Sequence, residues 1–149
     1  MEIVRTDSDN ADFLQLVKAL DAELAQIDGE EHSFYAQYNK VDKIKHAVVV
    51  YHNNQPIACG AVKELEPNTM EVKRMYTIPA WRGKGAATHV LRALEAWAAE
   101  MGYAKCRLET GKRQPDAIAL YQKNGYNIIS NYGQYEGVEN SVCFEKELP

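Results

Sequence analysis

The spacing of apolar residues changes several times along the chain, and each change predicts an element. Residues 2–6 alternate weakly, which suits a short first strand. Asp7 to Asn10 offer capping side chains, and after them Phe13, Leu16, Val17, Leu20, Leu24 and Ile27 recur at intervals of three and four. That spacing predicts an amphipathic helix with one buried stripe, stopped by Asp28-Gly29. Residues 30–45 are polar with Phe34, Tyr35 and Tyr38 among them, and predict a second short helix and a loop.

From His46 to His52 the residues are rich in Val and predict a strand. Asn53-Asn54-Gln55-Pro56 has turn chemistry, Ile57 to Leu65 resumes as a strand, Glu66-Pro67-Asn68 is a second turn, and Met70 to Ile78 is a third strand ended by Pro79. Three strands joined by short polar turns read as an antiparallel meander. A helix is predicted from Gly83 to Met101, with Ala87, Val90, Leu91, Leu94, Trp97, Ala98 and Met101 on one face and Gly102 as its stop. Ala104 to Glu109 is a strand after a long helix, which implies a crossover and a parallel neighbour. Residues 115–124 predict a short helix ending at Gly125, followed by strands at Tyr126 to Ser130 and Ser141 to Glu147. The predicted order is strand, two helices, three strands, helix, strand, helix, two strands. The expected architecture is α/β: a mixed, largely antiparallel sheet with helices on both faces, in one domain spanning residues 1–149.

Composition narrows the function classes. A chain of 149 residues fits one domain with a substantial core. A formal net charge of −4 argues against a general nucleic-acid binder, which carries a basic face. Cys59, Cys106 and Cys143 each sit in an apolar stretch without a CxxC pair, and read as reduced, buried thiols. The histidines His32, His46, His52 and His89 lack metal-ligand spacing, so no metal is expected. No segment has the form of a signal peptide or approaches the roughly 20 apolar residues that cross a bilayer, so the expectation is a cytoplasmic protein without a membrane partner.

The most informative stretch runs from Met75 to Thr88: a strand ends, a turn follows, and a helix opens on small residues. Small residues let a ligand approach the backbone. Free N–H groups and the helix dipole at that point favour an anion, so a phosphate-bearing ligand is the natural partner. Arg82 and Lys84 add two cations. The Walker pattern fails because Gly85, not Ser or Thr, follows Lys84. The dinucleotide fingerprint fails because Thr88 stands where Gly or Ala is required.

Arg82, Gly85 and Ala87 instead form Arg-x-x-Gly-x-Ala, which resembles the Gln/Arg-x-x-Gly-x-Gly/Ala signature of the GNAT family of N-acetyltransferases. Ala119 to Tyr126 resembles the family's second signature, a helix that presents a Tyr and closes on Gly-aromatic. The resemblance is specific over residues 71–126 and topological outside them. It implies acetyl-CoA as cosubstrate and transfer of its acetyl group to an amine by direct attack through a ternary complex. The pyrophosphate is expected on Arg82, Gly83, Lys84, Gly85, Ala86, Ala87 and Thr88. The pantetheine arm is expected to pair with Met75, Tyr76 and Thr77 like an added strand, where the family's sheet splays. Gln114 stands where relatives often place an Asn near the pantetheine.

Amine acetylation needs a proton acceptor, donors for the oxyanion and a proton for the leaving thiolate. Tyr121 matches the family's thiolate-protonating tyrosine; packing against the core is the alternative. Glu71 matches the catalytic glutamate of the histone-modifying branch, although a bulge would change its facing. Glu109 is a second candidate base, and a water chain to a backbone carbonyl a third. Lys73 and Arg74 read as solvated strand charges or as lining of the acceptor site, Trp81 as a shield for the turn, and Asn124 as a helix cap. Acceptor sites in the family draw on regions that here carry His32, Phe34, Tyr35, Tyr38, Tyr132 and Tyr135, with Glu30, Glu31, Glu64 and Glu136 nearby. These are either surface groups or a pocket for a cationic amine. A small-molecule acceptor is expected over a protein, and a homodimer through the last strands is a further implication of the resemblance. The competing classes are a catalytically silent acyl-CoA sensor and a nucleotide-binding protein.

Overall fold

A computed structural model describes residues 1–29 and 43–149. The second helix expected within residues 30–45 falls almost wholly outside the described residues. The elements are β1 (Glu2–Thr6), α1 (Ala11–Asp28), β2 (His46–His52), β3 (Gln55–Glu66), β4 (Thr69–Thr77), α2 (Ala86–Glu100), β5 (Lys105–Gly111), α3 (Pro115–Lys123), β6 (Asn127–Ile129) and β7 (Ser141–Glu147). Short 3₁₀ turns sit at Pro79–Trp81 and Gly133–Tyr135. The strands form a seven-stranded sheet in the order β1-β2-β3-β4-β5-β7-β6. Pairing is antiparallel except between β4 and β5, the parallel neighbours joined through α2.

Each element forms for local reasons. The Asn10 side chain accepts the Phe13 N–H at 2.9 Å and opens α1. The β2–β3 hairpin turns on Asn53 and Asn54 alone, both with positive φ, as two-residue hairpins require. The turn is tighter than expected because Gln55 and Pro56 already pair with β2. Helix α2 begins at Ala86 rather than Gly83, because Gly83 and Gly85 adopt left-handed φ values of 76° and 85° that a helix excludes. Met101, expected on its buried face, is exposed.

Alternation along β2 supplies both faces of the sheet. Val48 and Val50 meet Val90, Leu91 and Leu94 of α2, while Ala47 and Val49 meet Phe13, Leu16 and Val17 of α1. The strand is apolar throughout because both faces are covered. Each fully buried Val, Leu or Phe contributes ~1.5–3 kcal/mol. The three cysteines lie unpaired and buried in these layers.

Within the β3–β4 pair the regular pairing breaks near the middle of the sheet. The β3–β4 register shifts between Cys59 and Ala61, so β4 carries an extra residue. Arg74 there has φ 62° and is buried, and its carbonyl accepts from Cys59 Sγ at 3.4 Å. Gly60 stands opposite: a Cβ on it would lie 2.5 Å from Met75 Sδ and 2.7 Å from Val90 Cγ1. Gly60→Ala is therefore expected to overpack the bulge and destabilise the fold by ~1–3 kcal/mol, read as a lower denaturant midpoint at unchanged slope.

Candidate functional site

Strands β4 and β5 pair only over Thr69–Glu71 and Lys105–Arg107. Beyond that point β4 runs on to Thr77 and β5 to Gly111 without pairing to each other. The bulge bends β4 where the strands part. Backbone groups on the parted edges need other partners, which a bound extended chain can supply.

A cleft opens in this gap. Leu20, Leu24 and Asp28 of α1 form one wall, β4 from Glu71 to Met75 and β5 from Glu109 to Gly111 form the sides, and Gln114, Ala117 and Tyr121 of α3 close it with Tyr135. Glu71, Glu109 and Tyr121, far apart in sequence, line the same cavity. Met70, Val72 and Leu108 point into the α2 core, so alternation turns Glu71 and Glu109 to the α1 side. Tyr121 comes from the opposite face, where its ring lies 5.9 Å from those of Tyr126 and Phe144. The gap between the strands is what lets the two faces meet.

The two glutamates differ in surroundings. Glu71 is buried; the Tyr132 hydroxyl donates to its Oε2 at 2.5 Å and Lys73 Nζ lies 3.5 Å from its Oε1. Glu109 receives a hydrogen bond from Ser141 Oγ at 2.7 Å. Burial pushes the Glu109 carboxyl up to about 7; the Ser141 bond works against this, the Asp28 and Glu71 carboxylates reinforce it, and Lys73 opposes it. Tyr121 is pushed well above the usual tyrosine range, by burial first and then by Glu109, so its hydroxyl keeps its proton at neutral pH. Burial likewise raises Tyr132 and Tyr135. Lys73 and Arg74 are not solvated strand charges: both line the cleft, and Arg74 reaches Asp21 of α1 at 3.5 Å.

The signature loop sits at the far end of β4. Arg82 donates through Nε to the Thr77 carbonyl at 2.9 Å and through Nη2 to Glu23 at 2.8 Å, with its guanidinium 5.5 Å from the centre of the Tyr76 ring. It therefore ties the loop to β4 and α1, besides adding charge. Lys84 is exposed, with Nζ 4.9 Å from the centre of the Trp81 ring. Beyond Gly83 and Gly85 a Cβ would meet no atom of the described residues within 4 Å, so among these both glycines front open space. Among the described residues no side chain caps α2, whose N-cap is Gly85, and the first N–H groups of a helix have no partner inside it. Ala86 turns into the core, while Ala87 and Thr88 are half-buried. This arrangement fits a diphosphate. Asn124 caps α3 and its Nδ2 lies 3.4 Å from Thr88 Oγ1, so the start of α2 abuts the helix that carries Tyr121.

Other expectations resolve differently. Glu64 and Glu136 are exposed and do not line the cleft. His32, Phe34, Tyr35, Tyr38, Glu30 and Glu31 lie outside the described residues. Among the described residues no group of three or more His, Cys, Asp or Glu could hold a metal ion, and no helix is long and apolar enough to cross a membrane. Sequence reasoning does not single out Asp28 and Ser141 for the site. Neither carries a local signal, because one ends a helix and the other begins a strand.

Comparison with known proteins places this geometry. The sequence profile of the Acetyltransferase (GNAT) family matches residues 13–126. The chain is 30% identical over 137 residues to the IAA acetyltransferase of Azospirillum brasilense, covering 91% of this chain and 90% of that one. A Klebsiella pneumoniae structure described as an acyl-CoA N-acyltransferase superposes with a TM-score of 0.82 at 32% identity, over 99% of this chain and 97% of that one. The PaiA N-acetyltransferase of Thermoplasma acidophilum, solved in complex with coenzyme A, shares the fold at 17% identity, with a TM-score of 0.70 and 99% of each chain covered. The chain shares its fold with these proteins and is a member of the GNAT acetyltransferase family, an acetyl-CoA-dependent acetyltransferase.

Proposed function

We propose that the protein acetylates the primary amine of a cationic small molecule by direct attack in a ternary complex, with Glu109 as proton acceptor and Tyr121 as proton donor. The observation that supports this best is the pairing of a near-neutral carboxyl with a firmly protonated phenol in one cleft. Two titratable groups with opposed protonation at the same pH are what acid–base chemistry requires. Bound acetyl-CoA supplies the activated acyl group as a thioester.

The chain's own residues do the rest. The loop from Arg82 to Thr88 holds the pyrophosphate through backbone N–H groups, and the free edge of β4 at Met75, Tyr76 and Thr77 aligns the pantetheine arm, with Gln114 across the cleft. Glu109 takes the ammonium proton so that the amine has a free lone pair. Tyr121 gives its proton to the leaving sulfur and is reprotonated by the second proton that the nitrogen sheds as the amide forms. Glu71, held between Lys73 and the Tyr132 hydroxyl, joins Asp28 in attracting the incoming cation. The cleft is walled by α1, two strands, α3 and Tyr135, which suits a small acceptor more than a long peptide.

Calorimetric titration with acetyl-CoA, followed by a screen of amine acceptors, tests the reading. Activity confined to neutral or anionic acceptors would exclude the cationic site. Tyr121→Phe is expected to lower kcat on the order of 10²-fold at near-unchanged acetyl-CoA affinity. Full turnover in that variant would remove Tyr121 from the chemistry.

A further inference from the structure

Glu109 reaches its place from β5, but what holds its carboxylate comes from the other end of the chain. Ser141 opens β7, is 4% exposed, and its hydroxyl donates to Glu109 Oε2 at 2.7 Å. Glu109 pairs with Cys143 and Gly111 with Ser141, so Ser141 lies two residues along β7 on the face that Glu109 occupies. The connection before it is closed on itself. Asn131 Nδ2 donates to the carbonyls of Val138 at 3.0 Å and Ser141 at 3.2 Å, the Ser141 N–H donates to the Val138 carbonyl at 3.1 Å, and the Asn140 carbonyl accepts from the Lys112 N–H at 2.8 Å. Ser141 therefore meets Glu109 from a backbone that is tied down on both sides.

We infer that Ser141 is a positioning residue for the reaction: its hydroxyl, presented by the closed segment 131–141, fixes the Glu109 carboxylate in the cleft. This rests on the reading of Glu109 as proton acceptor. The groups that face Glu109 are Asp28 from α1, Glu71 and Lys73 from β4, Tyr121 from α3, Tyr135 from the 3₁₀ turn and Cys143 from β7. Ser141 is the hydrogen-bond donor seen on its carboxylate among the described residues. A donor to a carboxylate favours the charged form. Its loss leaves the acid harder to ionise and free to rotate.

The test compares pH profiles of kcat/KM for the amine in the intact chain and in Ser141→Ala, Ser141→Thr and Glu109→Gln. The acceptor's own ionisation is common to all four and cancels. Ser141→Ala is expected to move the acid limb to higher pH and lower the rate at pH 7 on the order of tenfold, with acetyl-CoA affinity unchanged. Ser141→Thr, which keeps the hydroxyl, is expected to restore the limb. A role in packing alone would leave the limb where it is. If the limb vanishes in Glu109→Gln but stays in place in Ser141→Ala, the positioning role is overturned while the base assignment stands. If Glu109→Gln keeps the limb, the base assignment falls and the role of Ser141 falls with it.

Discussion

Glu109→Gln is expected to lower kcat by ~10²–10⁴-fold with little change in acetyl-CoA affinity. The substitution keeps the shape of the side chain and an acceptor for the Ser141 hydroxyl, and removes only the capacity to take a proton. The same variant is expected to gain stability in alkaline solution. Burial raises the Glu109 carboxyl from 4.5 to about 7 in the folded protein, so the native state holds a proton that the unfolded chain releases. The stability this group contributes is full below pH 4.5, and is lost as pH rises through about 7. A glutamine never ionises, so the variant should match the intact chain at pH 4 and exceed it at pH 8 by ~2–3 kcal/mol. Denaturant titrations at the two pH values measure the difference. Equal stability at pH 8 would mean that Glu109 ionises as an ordinary surface carboxyl does, and its assignment as base would lose its physical ground. A gain in stability with a loss of turnover is the trade expected where a strained group does chemistry.

Gly85→Val is expected to abolish acetyl-CoA binding while the fold survives. A Cβ on Gly85 meets no atom of the described residues within 4 Å, so the branch projects into open space where the proposed pyrophosphate would lie. The left-handed φ of 85° adds ~1–2 kcal/mol of backbone strain, which lowers the melting temperature by a few degrees. Blocking the approach removes several charge-assisted hydrogen bonds of ~1.5–3 kcal/mol each, a loss of roughly 10²-fold or more in affinity. Calorimetry of the folded variant with acetyl-CoA decides it: undiminished binding would sink the pyrophosphate assignment.

Much of the architecture was legible in the residues themselves. The three-and-four spacing from Phe13 to Leu20 could bury only one face of a helix, and it does. The run from Ala47 to Val50 reads as a strand, and the structure covers both of its faces. The signature from Arg82 to Ala87 was readable because its chemistry is local: adjacent backbone groups at the start of one helix need no partner from elsewhere in the chain. Even there the helix start moved from Gly83 to Ala86, since periodicity cannot locate a left-handed glycine.

Alternation alone cannot reveal an extra residue in a strand. The bulge at Arg74 depends on the space that Gly60 leaves for Met75 across the β3–β4 pair, and that space exists only once the strands are side by side. Only the family resemblance set Glu71 ahead of Glu109 as a candidate, because each is a carboxylate on a strand and its role is a property of its neighbours. Lys73 and Tyr132 occupy the oxygens of the first; burial, reinforced by Asp28, raises the second against the pull of the Ser141 hydroxyl. Patterns of period two and 3.6, turn chemistry and a helix-start motif are short-range, so the chain's order states the elements and the sheet, and proposes where the cofactor is anchored. Which carboxylate takes the proton is a long-range electrostatic matter. The proposal of Glu109 rests on the tertiary structure, in which β4 and β5 part and residues from Leu20 to Tyr135 line one cleft, with Ser141 behind Glu109.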